Sequence, residues 1–131
     1  MVCFDTDFII ALLRGQSEAV KKAEELERRK ERNTTTPLNA FELYIGAHLS
    51  KKSQENLKLV TDFLENVDIL NFDLLAAEIA GKIGAELERA GRPIGVRDSM
   101  VAGIALRYEQ KIVTKNIKHF SQISNVSYES W

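Results

Sequence analysis

The chain has one cysteine, two prolines and one tryptophan in 131 residues. A lone cysteine excludes an internal disulfide, so the hydrophobic core must hold the fold without covalent staples. Cys3 lies in the apolar run "VCF", where a small buried thiol is expected and a reactive one is not. Excess charge is also missing: the formal net charge is -1, although 28% of residues are charged. Proteins held on nucleic acid mainly by phosphate contacts are more basic than this. Any nucleic-acid role must therefore rest on local positive patches or on metal ions. No apolar run approaches the roughly 20 residues of a membrane span. The start of the chain lacks the basic segment, apolar stretch and small-residue site of a secretory leader. The expectation is a cytoplasmic protein with no membrane partner. Zinc-type His/Cys spacing is absent too, and the isolated His48 and His119 are read as surface or packing residues.

What is present fits one domain spanning residues 1–131, with 44% hydrophobic residues to fill its core. "VCF" reads as a buried parallel strand. "TDFIIALLRG" then reads as a helix, with Thr6 or Asp7 as its cap and Gly15 at its end. The charged stretch "SEAVKKAEELERRKER" forms a helix that buries only a narrow stripe, Val20, Ala23 and Leu26. "NTTT" predicts a second strand. Thr36 caps a helix that starts at Pro37, with Leu38, Phe41, Ile45 and Leu49 as its buried face and Glu42 at the rim. Ser53 caps a further amphipathic helix, and "VDILN" predicts a third strand.

The helix over "FDLLAAEIAGKIGAELERAG" carries the stripe Leu75, Ile79, Ile83 and Leu87. Beside it runs a line of small residues, Ala76, Ala80 and Gly84, which lets a neighbouring helix or the sheet approach closely. Another helix begins near Asp98. "KIVT" predicts a fourth strand, "KNIKHFSQI" a loop or short turn, and "VSYES" an edge strand. Strands alternating with helices predict an α/β fold, a mostly parallel sheet with helices on both faces.

Four polar residues stand where a fold alone does not need them. Asp5 ends the first strand, Glu42 sits at the rim of a helix face, Asp98 begins a helix, and Asn116 follows the fourth strand. In a doubly wound sheet the loops after the strand ends gather along one edge, where ligands bind. Clustered carboxylates repel unless a cation sits among them. With oxygen donors only, that cation is hard, Mg²⁺ or Mn²⁺. Each acid also has a plainer reading. Asp98 and Asp5 can cap helices, and Glu42 can be a half-exposed helix acid.

These segments resemble the PIN-domain family, and within it the VapC-type toxin ribonucleases. "FDTDFIIALLRG" resembles the family's opening strand and helix, and "NAFELYIGA" resembles the segment carrying its buried Glu. "GRPIGVRDSMVAGIAL" resembles its most distinctive segment, and "IVTKNIKHFSQISNVSYESW" its closing one. The resemblance runs end to end. It implies a three-layer α/β/α sandwich and Mg²⁺- or Mn²⁺-dependent hydrolysis of RNA. It also implies a homodimer and a VapB-like antitoxin that blocks the site. Asp5, Glu42 and Asp98 match the family's three core acids. Asn116 matches a fourth position, Asp in many relatives, so a second metal site is weaker here. Thr6 and Thr114 match supporting hydroxyls. Asp7 departs from a common Asn, and Asn39 stands where a hydroxyl residue is frequent.

On this reading Asp5 and Asp98 ligate the metal directly, with Glu42 as a ligand or acting through water, and an activated water attacks in line. Arg14, Lys115 and Lys118 are candidates for contacting RNA or the antitoxin. Three rivals remain at this point. One is an RNA-processing PIN nuclease outside a toxin–antitoxin pair. Another is a catalytically degenerate PIN binding module. The third is a phosphatase with an Asp nucleophile, although "FIIAL" lacks the Thr/Gly pattern such enzymes carry after their opening acids.

Overall fold

The computed structural model describes residues 1–131. Its elements in chain order begin with β1 (Val2–Phe4), α1 (Thr6–Leu13), α2 (Ser17–Arg28), β2 (Asn33–Thr35), α3 (Pro37–Leu49) and α4 (Ser53–Leu64). They continue with β3 (Asp68–Ile69), α5 (Leu74–Arg89), α6 (Val96–Arg107), β4 (Lys111–Val113), α7 (Ile117–Phe120) and β5 (Tyr128–Glu129). The five strands form one parallel sheet in the order β3-β2-β1-β4-β5. The chain winds from β1 outward through β2 and β3, then returns to place β4 on the other side of β1. The β1/β4 crevice is thus the switch point where such sheets bind ligands.

Side chains alternate between the two faces of the strands. Val2, Phe4 and Val113 join a core cluster with Phe8, Leu26 and Leu43 under α1–α4. Ile112 points the other way, into a cluster with Val101, Ala105 and Phe120 under α5 and α6. The layers are the expected α/β/α. Burial pushes the Cys3 thiol up to about 12, with Asp5 adding to the effect, so the thiol is inert at neutral pH.

Several local expectations are corrected. The N-cap of α1 is Asp5, as its plainer reading allowed, rather than Thr6 or Asp7: its carboxylate accepts the Thr6 N–H at 2.9 Å. Ser53 is the first helical residue of α4, and Lys52 holds the cap position without a side-chain bond. Helix α6 begins at Val96, so Asp98 lies in its first turn. Within "KNIKHFSQI", expected as a loop or short turn, "IKHF" forms a short helix. In α2 the buried residues are Ala19 and Leu26, while Val20 is exposed. Leu75, at the start of the α5 stripe, is also exposed. In α3 three of the four residues of the expected face point outward, Phe41 63%, Ile45 42% and Leu49 82% exposed, and only Leu38 packs inward, against the core under α5 and α6. Asn39, Leu43 and Ala47 face inward instead. The small-residue line of α5 is met by α6, with Gly103 packed against Ala76 and Ala80.

The edge strand β5 is short, and ion pairs tie it down. Glu129 accepts from Lys22 Nζ at 2.9 Å and from Arg29 Nη1 and Nη2 at 2.8 and 2.9 Å. Lys111 adds a pair at 3.5 Å. The Arg29 bonds hold the Glu129 carboxyl well below its ordinary value of 4.5, and Lys22 reinforces them against the cost of burial. A depressed carboxylate contributes stability above its unfolded pKa and loses it as pH falls through the folded one. Glu129→Gln is expected to lower the unfolding free energy by about 1–2 kcal/mol at pH 7, a value discounted for partial solvent screening. Urea titrations should show the difference from the parent narrowing as pH drops below 4.5.

Candidate active site

The C-terminal ends of β1, β2 and β4 deliver the site. Asp5 follows β1 directly and is 3% exposed. A carboxylate so deeply buried must have its lone pairs filled. Asp5 Oδ1 accepts from the Thr6 N–H, from Asn39 Nδ2 at 3.0 Å and from Arg97 Nη2 at 2.5 Å. Asp5 Oδ2 accepts from Thr114 Oγ1, just past β4, at 2.7 Å.

Asn39 is fully buried in the first turn of α3. Its amide nitrogen also donates to Thr6 Oγ1 at 2.9 Å, and its oxygen accepts from Thr36 Oγ1 at 2.6 Å. Thr6 Oγ1 in turn donates to Glu42 Oε1 at 2.6 Å. Glu42 lies one turn beyond Asn39 on α3, so one helix supplies both a support for Asp5 and a second acid.

Asp98 comes from the opposite layer. Gly95, at φ +90°, turns the chain into α6, a conformation that suits glycine alone. Asp98 then falls in the first turn, 6% exposed. Its Oδ2 accepts from Asn116 Nδ2 at 2.7 Å and lies 2.5 Å from His119 Nδ1. Its Oδ1 accepts from Arg97 Nη1 at 2.6 Å. Asn116 is thus present at the site, but it presents its amide N–H groups to Asp98. Its backbone N–H donates to Thr114 Oγ1 at 2.9 Å.

Arg97 closes the cluster. Besides its contacts to Asp5 and Asp98, Nη2 lies 2.6 Å and Nε 3.0 Å from Glu42 Oε1. Burial works against the guanidinium's charge, but Asp5, Glu42 and Asp98 outweigh it and push its pKa further up. No three His, Cys, Asp or Glu side chains are set to share one metal ion in this structure. The donor chemistry nonetheless suits a hard cation. Three carboxylates from three separate segments turn oxygens toward one positive centre, and against one guanidinium they leave an excess of two negative charges.

The remaining sequence candidates divide. Asp7 faces the loop after β4, where its carboxylate accepts the Phe8 N–H at 2.7 Å and the Lys115 N–H at 2.9 Å. Burial pushes its pKa up, opposed by the Lys115 N–H. Asp7 therefore anchors α1 to the post-β4 loop. The Lys115 ammonium sits 4.0 Å over the Trp131 ring and 3.5 Å from Glu18, turned away from the acids. Lys118 is exposed on α7. Arg14 lines a groove between α1, α3 and α4, together with Ile10, Leu43, Val60 and Glu42.

Sequence reasoning missed Arg97 and His119. Arg97 had a signal: a cation in the first turn of a helix opposes the dipole, so something else must hold it there. His119 also had one, because it lies three residues after Asn116 and shares its face once that segment is helical.

A family model for the PIN domain matches residues 2–126. Over 127 residues the chain is 33% identical to the tRNA(fMet)-specific endonuclease VapC of Shigella flexneri, covering 97% of this chain and 95% of that one. Among solved structures, DNA-bound VapBC from Salmonella typhimurium matches with a TM-score of 0.89 at 31% identity, covering 100% of this chain and 99% of that one. VapBC2 from Rickettsia felis, bound to a DNA fragment from its promoter, matches with a TM-score of 0.90 at 26% identity, covering 100% and 99%.

Proposed function

The chain belongs to the PIN-domain family, and from that premise we propose that it is a VapC-type endoribonuclease, the toxin of a toxin–antitoxin pair. It hydrolyses RNA phosphodiester bonds with a divalent cation, Mg²⁺ or Mn²⁺, held by Asp5, Asp98 and Glu42. The observation that carries this reading is the convergence of these three acids on one positive centre at the β1/β4 crevice. When bound, such a cation neutralises the scissile phosphate and makes a water nucleophilic at neutral pH.

The chain's own residues do the positioning. Thr114, Asn39 and the Thr6 N–H fix the Asp5 carboxylate, while Asn116 and His119 fix Asp98. The Thr6 hydroxyl orients Glu42. On this reading the nucleophile is water and not a side chain. Beside the acids, the groove holding Arg14 runs from Glu42 along α3 and α4, with apolar walls and one free guanidinium. It suits a segment of a VapB-like antitoxin, and Arg14 is its charged contact. The outward stripe Phe41, Ile45 and Leu49 supports a homodimer, since a continuous apolar helix face favours cover by a second copy.

The name of the Shigella relative makes tRNA(fMet) the first RNA to test. Cleavage is expected with Mg²⁺ or Mn²⁺, to cease on chelation with EDTA, and to return when Mn²⁺ is added in excess. Cleavage that proceeds undiminished in EDTA would count against the metal-dependent reading.

A further inference from the structure

Arg97 occupies the same oxygens that a metal ion needs. Its Nη2 takes Asp5 Oδ1, its Nη1 takes Asp98 Oδ1, and its Nη2 and Nε share Glu42 Oε1. The outer oxygens of Asp5 and Asp98 are already committed to Thr114 and to Asn116 and His119. The oxygens of the three acids that converge on one centre are those Arg97 holds, so a cation shared by all three must enter where the guanidinium sits. Guanidinium and metal cannot share these positions, because both are positive and both require the same lone pairs. The Arg97 side chain is 30% exposed, so it has a way out to solvent. It also sits in the first turn of α6, where the helix dipole weakens the hold on a cation.

We propose that Arg97 is an exchangeable internal counter-ion: its guanidinium holds Asp5, Asp98 and Glu42 together without metal, and a divalent cation must displace it to bind. The proposal rests on the metal-binding reading of those three acids. It explains how two buried carboxylates and a half-exposed one stay together before loading. It also implies that Arg97 sets the metal affinity of the site.

The test uses the full chain and Mn²⁺ as the probe. Isothermal titration, with electron paramagnetic resonance to count free Mn²⁺, should show Arg97→Gln binding Mn²⁺ at least tenfold more tightly than the parent, with Arg97→Lys between them. Without metal, Arg97→Gln should melt below the parent, and saturating Mn²⁺ should raise its Tm by more than it raises the parent's. A purely structural arginine would lower both melting temperatures alike and leave Mn²⁺ affinity unchanged or weaker, which overturns the proposal. Nitrogen-15 NMR of the parent gives a measurement independent of any variant. On adding Mg²⁺, the Arg97 Nε–H signal should shift and lose its protection from exchange. If Mg²⁺ shifts the acid side chains but leaves Arg97 unmoved, the exchange is refuted. Equal Mn²⁺ binding by all three proteins also refutes it, while leaving the metal-binding reading intact. No uptake by any of them, even at millimolar Mn²⁺, removes both.

Discussion

Asp98→Asn is expected to lower the rate of RNA cleavage about a thousandfold. A metal's stabilisation of the developing phosphate charge is worth several kcal/mol, and each 1.36 kcal/mol is a factor of ten in rate. If Asp98 is one of three metal ligands, as proposed, losing its charge removes roughly 4 kcal/mol of that effect. The substitution is nearly isosteric, but its hydrogen bonding is not. Asp98 Oδ2 faces donors from Asn116 and His119, and Oδ1 faces Arg97. An asparagine must turn its NH₂ toward one side or the other, and either choice sets donor against donor. The cost to folding is about 1–3 kcal/mol, within the 5–15 kcal/mol of a typical domain. The variant should therefore keep the parent's circular dichroism and a cooperative melt. Single-turnover cleavage of tRNA(fMet) under saturating Mn²⁺ is the measurement. A rate within tenfold of the parent, from folded protein, would falsify the assignment of Asp98 to the metal site.

How much of this was legible in the sequence depends on which interactions are local. Strand and helix periods come from neighbours along the chain, so every element except the short α7 appears in the structure in the order the pattern predicts. Asp5 and Asp98 were legible because an acid at the end of an apolar strand, or in a helix's first turn beside buried residues, stands out from the pattern. The inward face of α3 was not. Two stripes fit the helical period, Leu38, Phe41, Ile45 and Leu49 or Asn39, Leu43 and Ala47, and hydrophobicity favours the first, of which only Leu38 is partly buried. The structure uses the second, because the inward face must carry a polar Asn39 to hold Asp5. It also carries a small Ala47 within the core under α1–α4. Arg97 and His119 belong to the site only through placement. Arg97 meets Asp5 across 92 positions of chain, and His119 meets Asp98 across 21. The local signals in each segment mark an unusual residue but do not name the partner it meets. That meeting follows from the winding of β1 and β4 side by side, with α6 laid over the crevice.

The position of α6 makes Gly103 the glycine that leaves no room for a side chain. A Cβ there would lie 2.6 Å from the Ala76 carbonyl oxygen, 2.9 Å from the Ala80 nitrogen and 2.7 Å from Ala80 Cβ. Two of these three atoms are backbone, so no side chain can rotate away, and α5 and α6 must separate. Gly103→Ala gains about 1 kcal/mol of helix propensity but meets an overpacking cost of about 3 kcal/mol at the upper end of the usual range. The net loss of about 2 kcal/mol corresponds to a fall in Tm of roughly 10 °C. Gly103→Val adds two more carbons against the same backbone and gains little propensity. It is expected to cost about 5 kcal/mol or more, enough to leave much of a marginally stable chain unfolded. Gly81, on α5, is the control, because a Cβ there meets nothing within 4 Å. Gly81→Ala should stabilise by up to about 1 kcal/mol through propensity alone. Opposite signs at these two helical glycines, read from thermal melts, separate backbone contact from intrinsic preference. The same displacement carries to the site, since Asp98 rides on the helix that Gly103 seats. Gly103→Ala should accordingly weaken Mn²⁺ binding while Gly81→Ala leaves it unchanged. Equal Tm values for the two alanine variants would show that α6 has room to move and that its contact with α5 does not set the place of Asp98.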